Sequence, residues 1–159
     1  MYSAYLHIPF CLSKCHYCDF YSLGWGEKSL PEEEYVQALS QEMSRWTGCV
    51  KMERANPWKS VFFGGGTPSL LSAQALDKIL KALEILLPWD ASTELSLEMN
   101  PKTADPKKLK DYRSIGVNRV SLGVQSLEEP LLENLGRAHN GKDALQSLEW
   151  IMAAPFSNF

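Results

Sequence analysis

Alternation of strand and helix patterns along the chain limits its fold more than any other feature. The segments that read as strands are 2–8, 59–63, 93–99 and 117–125. The segments that read as helices are about 31–47, 76–87, 105–116 and 141–153. Strands and helices in this order imply an α/β protein with a parallel sheet and right-handed crossovers. The order alone leaves open whether the sheet is doubly wound or forms part of a barrel.

The first helix illustrates how these patterns are recognised. It is introduced by Pro31 and a run of acidic residues, which favour a helix start. Its predicted apolar stripe consists of Val36, Leu39, Met43 and Trp46.

The last residues, "APFSNF", fall where a fifth strand would be due after the helix over 141–153. A parallel sheet that stopped there would leave its fourth strand with an unpaired edge. Val120, Leu122 and Val124 would then be bare. We therefore expect a fragment of a longer fold.

Composition and charge restrict the class of partner. The chain has 159 residues, of which 45% are hydrophobic and 22% charged, and its net charge is -3. This charge gives no electrostatic reason to bind nucleic acid. The N-terminal sequence lacks the features of a signal peptide, and no apolar stretch approaches the about 18 residues of a transmembrane segment. We expect a cytoplasmic protein with reduced thiols.

Three cysteines lie close together in "HIPFCLSKCHYCDF", where Cys11, Cys15 and Cys18 have the spacing C-x3-C-x2-C. In a reducing compartment, clustered cysteines indicate metal or redox chemistry rather than disulfides. Zinc is one candidate, with His7 or His16 as the fourth ligand. Structural zinc sites usually draw their ligands from two separate pairs, and no second pair exists here, because Cys49 stands alone.

A 4Fe-4S cluster is the other candidate for the three cysteines. A loop with this spacing can wrap one face of the cluster, so that each thiolate takes a separate iron. The fourth iron would stay open to bind a substrate or cofactor directly, as the open position of a catalytic zinc does.

The spacing, with an aromatic residue immediately before the last cysteine, resembles the signature of the radical S-adenosylmethionine superfamily. Five further motifs resemble its coproporphyrinogen oxidase-like branch, which includes the HemW haem chaperones. In chain order they are "YLHIPFC", "FFGGGTPSLLS", "LEMNP", "GVNRVSLGVQS" and "LGRAH". The resemblance covers nearly the whole chain. It implies a partial parallel (β/α) barrel, truncated here after about four units, with the later strands and a C-terminal domain absent from 1–159.

The resemblance also implies a set of cofactor-binding residues. Cys11, Cys15 and Cys18 would hold the cluster, and S-adenosylmethionine would chelate the fourth iron. The residues implied to lie near this cofactor are Tyr5, Gly65, Gly66, Thr67 and Glu98. The residues implied to line the shared cavity, where the oxidases hold a second S-adenosylmethionine, are Tyr17, Gln125 and Arg137.

Local patterns are compatible with these roles. Gly64 to Gly66 lie between a strand and a helix, so backbone groups could approach a ligand closely, although a tight turn would need the same residues. Glu98 and Gln125 lie at predicted strand ends, where parallel sheets bind ligands. His139, a lone loop histidine, is interpreted as solvated rather than as a haem ligand.

Position 20 bears on the function that the resemblance implies. The oxygen-independent coproporphyrinogen III oxidases have a further cysteine two residues after the third, whereas this chain has Phe20, as HemW-type proteins do. The resemblance thus favours a haem chaperone that binds haem and passes it to apoproteins, with an electron donor as a further partner. The alternatives are an oxidase in porphyrin biosynthesis and a zinc-stabilised binding module.

Overall fold

The computed structural model describes residues 2–26, 28–49, 57–156 and 158–159. Eleven strands and helices follow one another along these residues. They are β1 (Tyr2–Ile8), β2 (Phe10–Cys11), β3 (Leu23–Gly24), α1 (Glu32–Cys49), β4 (Trp58–Gly65), α2 (Ala73–Leu86), β5 (Glu94–Met99), α3 (Pro106–Ser114), β6 (Arg119–Leu122), α4 (Glu129–Leu135) and α5 (Gly141–Ala153). Short 3-10 helices follow β4 at Pro68–Leu70 and β5 at Pro101–Thr103.

A four-stranded parallel sheet with the order β1-β4-β5-β6 forms the centre of the fold. Val61 of β4 pairs with Ala4 of β1 on one side and with Leu95 of β5 on the other. Leu97 of β5 pairs with Val120 of β6. The predicted α/β class and the parallel sheet are confirmed. A second, two-stranded sheet of β2 and β3 stands beside it and was not predicted from the sequence.

Alternation along the strands gives the sheet two different faces. The apolar face packs against the helices. Its buried strand residues are Leu6, Ile8, Val61, Phe63, Leu95, Leu97 and Val120, and α2 covers them with Leu76, Ile79, Leu80 and Leu83. The opposite face carries Tyr5, His7, Phe62 and Glu98, so the more polar side chains are left on the side away from the helices.

Three sequence expectations differ from the structure. Trp46 is half exposed, whereas Val36 and Met43 of the predicted stripe are buried. The strand predicted over 117–125 covers only Arg119–Leu122, since the chain turns away after Leu122. Val120 is fully buried rather than bare, and its amide donates to the Asn158 carbonyl in an isolated parallel bridge.

None of the helices in the described ranges is long and apolar enough to cross a membrane.

Tyr112 of α3 fastens the loop that follows β4. Its side chain is fully buried, and its hydroxyl donates to the carbonyls of Ser69, at 3.0 Å, and Leu71, at 2.7 Å. Burial raises the pKa of this hydroxyl well above its ordinary value. The ring therefore stays neutral and acts as a hydrogen-bond donor to the loop.

We predict that Tyr112→Phe lowers the free energy of unfolding by about 1–2 kcal/mol, because two buried carbonyls lose a donor. Urea denaturation measures the change. Tyr21→Phe is the control, since Tyr21 is 74% exposed, and its expected change is below about 0.5 kcal/mol. Equal stability of the Tyr112→Phe variant and the wild type would contradict this role.

Candidate functional site

A cavity of about 340 Å³ lies at the carboxyl edge of the parallel sheet. Strands that run in the same direction end at the same edge, so loops far apart in sequence meet there. All three clustered cysteines line it. The other predicted residues in its wall are Tyr17, Gly65, Gly66, Thr67, Glu98, Gln125 and Arg137. The structure thus brings ten of the eleven predicted residues together.

The cysteine loop is fixed at its base by the small sheet. Phe10 pairs with Leu23 and Cys11 with Gly24. The Trp25 amide also donates to the Cys11 carbonyl at 2.7 Å. Cys11 is buried, whereas Cys15 and Cys18 are half-buried and follow in the loop between the two strands. All three are free thiols.

The outer side of this loop docks on the C-terminal end of α4. The backbone amide of His16 donates to the Leu135 carbonyl at 3.1 Å, and Nδ1 of its ring donates to the Asn134 carbonyl at 2.9 Å. These carbonyls belong to the last turn of α4, where a helix leaves acceptors without partners. One ring nitrogen of His16 is therefore already in use.

His7, the other histidine considered for zinc, uses both ring nitrogens. Nε2 donates to the Tyr21 carbonyl at 2.7 Å, and Nδ1 accepts from the Tyr5 hydroxyl at 3.1 Å. Within the described ranges, no group of three His, Cys, Asp or Glu side chains is arranged to hold a metal ion. The three cysteines all lie in the wall of the same cavity.

Gly66 lies where the end of β4 meets the start of the cysteine loop. Its amide donates to the Ile8 carbonyl at 2.7 Å, and the next amide, of Thr67, donates to the Phe10 carbonyl at 2.7 Å. A Cβ at position 66 would lie 2.7 Å from the Phe10 oxygen and 3.0 Å from the Cys11 Sγ. Only glycine fits this approach.

Glu98 at the end of β5 gives the cavity its acidic group. Its Oε2 accepts from the Gly65 amide at 3.0 Å. Burial raises the pKa of this carboxyl, while the Gly65 amide and the nearby His7 act in the opposite direction. The second oxygen of the carboxylate has no protein donor among the described hydrogen bonds and can accept from a ligand.

Tyr5 is the predicted residue that does not line the cavity. Its ring is 57% exposed and stacks on Phe62 with the centroids 6.1 Å apart. Its hydroxyl donates to His7. Burial, followed by the charge of Glu98, raises the pKa of the Tyr5 hydroxyl. Tyr5 therefore lies on the same face of the sheet as Glu98 but outside the wall of the cavity.

Arg137 connects the cysteine loop to the segment after β6. Its Nη1 lies 3.4 Å from the Cys15 Sγ and 3.3 Å from the Tyr17 hydroxyl oxygen. Its Nη2 donates to the Gly123 carbonyl at 2.6 Å. The family resemblance predicted that Arg137 lines the cavity, but it did not predict the contact with a cysteine.

Sequence reasoning also missed several residues of the cavity wall. Among them are Phe20, Met99, Asn100, Ser121 and Gly123. Four of these five lie on or directly after the ends of β5 and β6, a position that could have indicated them. The interpretation of His139 as a solvated histidine was wrong, because only 4% of its surface is exposed. The connection after β6 packs over it.

The fold and the site define an α/β protein whose three thiols and sheet-end loops enclose one cofactor-sized cavity. The sequence profile of the Radical SAM superfamily matches residues 5–158. The chain belongs to this superfamily, as its motifs predicted.

Relatives in several organisms resemble the chain over most of its length. The heme chaperone HemW of Bacillus subtilis is 41% identical over 159 residues, which is 99% of this chain and 41% of the relative. HemW of Escherichia coli is 41% identical and covers 89% of this chain and 36% of its own length. A mitochondrial radical S-adenosyl methionine domain-containing protein 1 of Bos taurus is 39% identical, over 91% and 31%. The chain spans about two fifths of the length of these relatives or less.

Among solved structures, the radical SAM enzyme coproporphyrinogen III oxidase of Escherichia coli superposes with a TM-score of 0.81 at 23% identity. The match covers 99% of this chain and 36% of the other. This likeness confirms the predicted fold, a partial parallel barrel.

The superfamily implies a 4Fe-4S cluster and S-adenosylmethionine, and the residues of the cavity fit both. Three thiols supply the soft ligands that such clusters take. The close contact of Gly66 with Cys11 leaves backbone rather than side chain against the site. The carboxylate of Glu98, of which only Oε2 accepts a hydrogen bond among the described residues, offers a polar partner for a small molecule.

Proposed function

We propose that residues 1–159 form the N-terminal part of a radical SAM core in a haem chaperone of the HemW type. Cys11, Cys15 and Cys18 would hold the 4Fe-4S cluster, and S-adenosylmethionine would occupy the cavity beside it. The whole protein would bind haem and transfer it to acceptor proteins. The convergence of the three thiols, the Gly65 to Thr67 loop and Glu98 on one cavity carries this proposal.

When bound, the cluster and S-adenosylmethionine supply one-electron chemistry at a carbon-sulfur bond. The protein's own groups bind and orient. Gly65 and Gly66 let the backbone approach the cofactor, and Glu98 accepts hydrogen bonds from it. Tyr17 and Arg137, which contact each other, line the same cavity. A reducing compartment such as the cytoplasm suits the three free thiols.

The choice of a chaperone over an oxidase depends on position 20 and on the relatives. Phe20 lines the cavity with its side chain 65% exposed, at the position where the oxidase branch continues with a cysteine. Relatives 35–41% identical in bacteria carry the name heme chaperone. The likeness to the oxidase structure, at 23% identity, concerns the fold alone.

Haem titration of the protein that carries this chain, extended to the length of its relatives, tests the proposal. We expect a saturable shift of the Soret band and transfer of the bound haem to an apoprotein acceptor. Conversion of coproporphyrinogen III to protoporphyrinogen IX under reducing, anaerobic conditions would establish the oxidase instead. If the protein neither binds haem nor converts coproporphyrinogen III, both functions are refuted.

We predict that Glu98→Gln weakens S-adenosylmethionine binding by about tenfold or more, since a charged acceptor is replaced by a neutral one. Equilibrium dialysis on the anaerobically reconstituted chain measures the affinity. The amide oxygen can still accept from Gly65, so we expect the cluster content to stay unchanged.

The same substitution should raise the free energy of unfolding at neutral pH, although it lowers the affinity for the cofactor. Because burial raises the pKa of Glu98, its charged form costs free energy of folding above that raised pKa, and the cost disappears below the unfolded pKa. Glu98→Gln should therefore be more stable than wild type at neutral pH and lose this advantage in acid. Glu94→Gln is the control, because its hydrogen bond from Ser96 lowers the pKa of Glu94. It should lose stability at neutral pH and bind the cofactor normally.

A further inference from the structure

His139 is a buried histidine to which the cofactor site assigns no role. It directly precedes Asn140, the residue that caps the N-terminus of α5. Its Nε2 lies 3.0 Å from the Val124 carbonyl oxygen. A carbonyl can only accept, so Nε2 carries the proton of the neutral ring. Nδ1 is buried and has no hydrogen-bond partner among the described residues. The ring therefore has one specific polar contact, with the chain after β6.

The segment that receives this contact contains an unusual backbone conformation. Gln125 has a φ of 67° and is the only residue other than glycine with a positive φ in the described ranges. A residue with a Cβ adopts the left-handed region at a conformational cost, which the surrounding contacts must offset. Gln125 also lines the cavity. Its backbone conformation thus decides where a cavity side chain lies.

Two side chains of the "RAH" motif hold consecutive carbonyls of this segment. Arg137 donates to the Gly123 carbonyl at 2.6 Å, and His139 donates to the Val124 carbonyl. The motif is itself anchored, because Asn140 and Asp143 form a reciprocal capping box at the start of α5. The segment just before α5 therefore donates hydrogen bonds to the carbonyls of the two residues that precede Gln125.

We propose that His139 is a positioning residue, which holds the Val124 carbonyl so that Gln125 stays left-handed with its amide at the cavity wall. The expected effect of His139 on cofactor binding rests on the proposed cofactor site. Its expected effect on the backbone at Val124 and Gln125 does not. A histidine that only filled space would be replaced without loss by an apolar side chain of similar size.

The test compares His139→Gln, which can place an amide N–H where Nε2 lies, with His139→Leu, which has no donor. Amide hydrogen exchange is measured by NMR on the chain at Val124 and Ser126, whose amides donate to Leu122 and Val124. We expect exchange about tenfold faster in the leucine variant and near wild type in the glutamine variant. Ser147→Ala controls for general destabilisation, because Ser147 is buried on α5 and its hydroxyl contacts the carbonyls of Asp143 and Pro101 rather than the segment after β6.

The second measurement is S-adenosylmethionine affinity of the anaerobically reconstituted variants. We expect the leucine variant to bind about tenfold more weakly at unchanged iron content, and the glutamine variant to bind as wild type does. If the leucine variant fails to fold, His139→Asn replaces it, because its amide has the same chemistry but a shorter reach.

Equal exchange and affinity in the leucine or asparagine variant and the wild type would overturn the positioning role. Equal losses in these variants and in the glutamine variant would also overturn it, since the donor would then not matter. If wild type itself binds no S-adenosylmethionine, the proposed cofactor site fails, and the exchange comparison alone decides the role of His139.

Discussion

The anaerobically reconstituted Cys15→Ala variant should contain no 4Fe-4S cluster. Three thiolates are the only protein ligands proposed for the cluster, so the loss of one leaves two irons without a protein ligand. Cys15 is half-buried in the cavity wall next to Arg137, and the alanine methyl can bind neither iron nor this arginine. Bound iron should fall from about four per chain to near zero, with loss of the visible absorption and of the EPR signal after reduction.

Cys49→Ala is the matched control, because Cys49 is the fourth cysteine of the sequence and ends α1 rather than belonging to the motif. Its iron content should equal that of the wild type. A 4Fe-4S signal that persists in Cys15→Ala would show that the cluster assignment is wrong. A colourless wild type with one bound zinc would instead support the zinc-stabilised module.

Much of the fold could be predicted because local patterns and tertiary packing agree. The strand β1 and the helix α5 have the predicted bounds, since alternation and helical periodicity end there at clear signals. The cavity could be predicted as well, because the carboxyl ends of parallel strands meet at one edge. Glu98 follows this rule directly.

The rest depends on contacts that no local pattern contains. The strand β6 stops at Leu122, and the carbonyls of the next two residues accept hydrogen bonds from the side chains of Arg137 and His139. The burial of His139 has the same origin, since it results from packing between segments. The docking of His16 on α4 could not be predicted either, because α4 itself was not recognised in the sequence.

Gly66→Ala should damage both the fold and the cofactor site. The new Cβ would lie 2.7 Å from the Phe10 carbonyl oxygen and 2.9 Å from that of Ile8, and backbone atoms cannot turn away as a flexible side chain can. To remove this steric overlap, the end of β4 must separate from β1 and from Phe10. We expect the free energy of unfolding of the cluster-free chain to fall by about 3 kcal/mol, as measured by urea denaturation.

The loss of cluster in this variant should exceed what its loss of stability alone would cause. The same Cβ would lie 3.0 Å from the Cys11 Sγ, so a chain that still folds must move this thiol away from its place in the cavity. Iron content measured in the cold, where the variant remains folded, separates the two effects and should be low.

Gly24→Ala provides the matched control, because its Cβ would meet only the Lys14 nitrogen at 3.6 Å, an ordinary contact. Since Gly24 lies beside Cys11 in the same small sheet, full iron content there and low content in Gly66→Ala would assign the effect to the contact with Cys11. Normal iron content in both would mean that the cluster does not need Cys11 at this position.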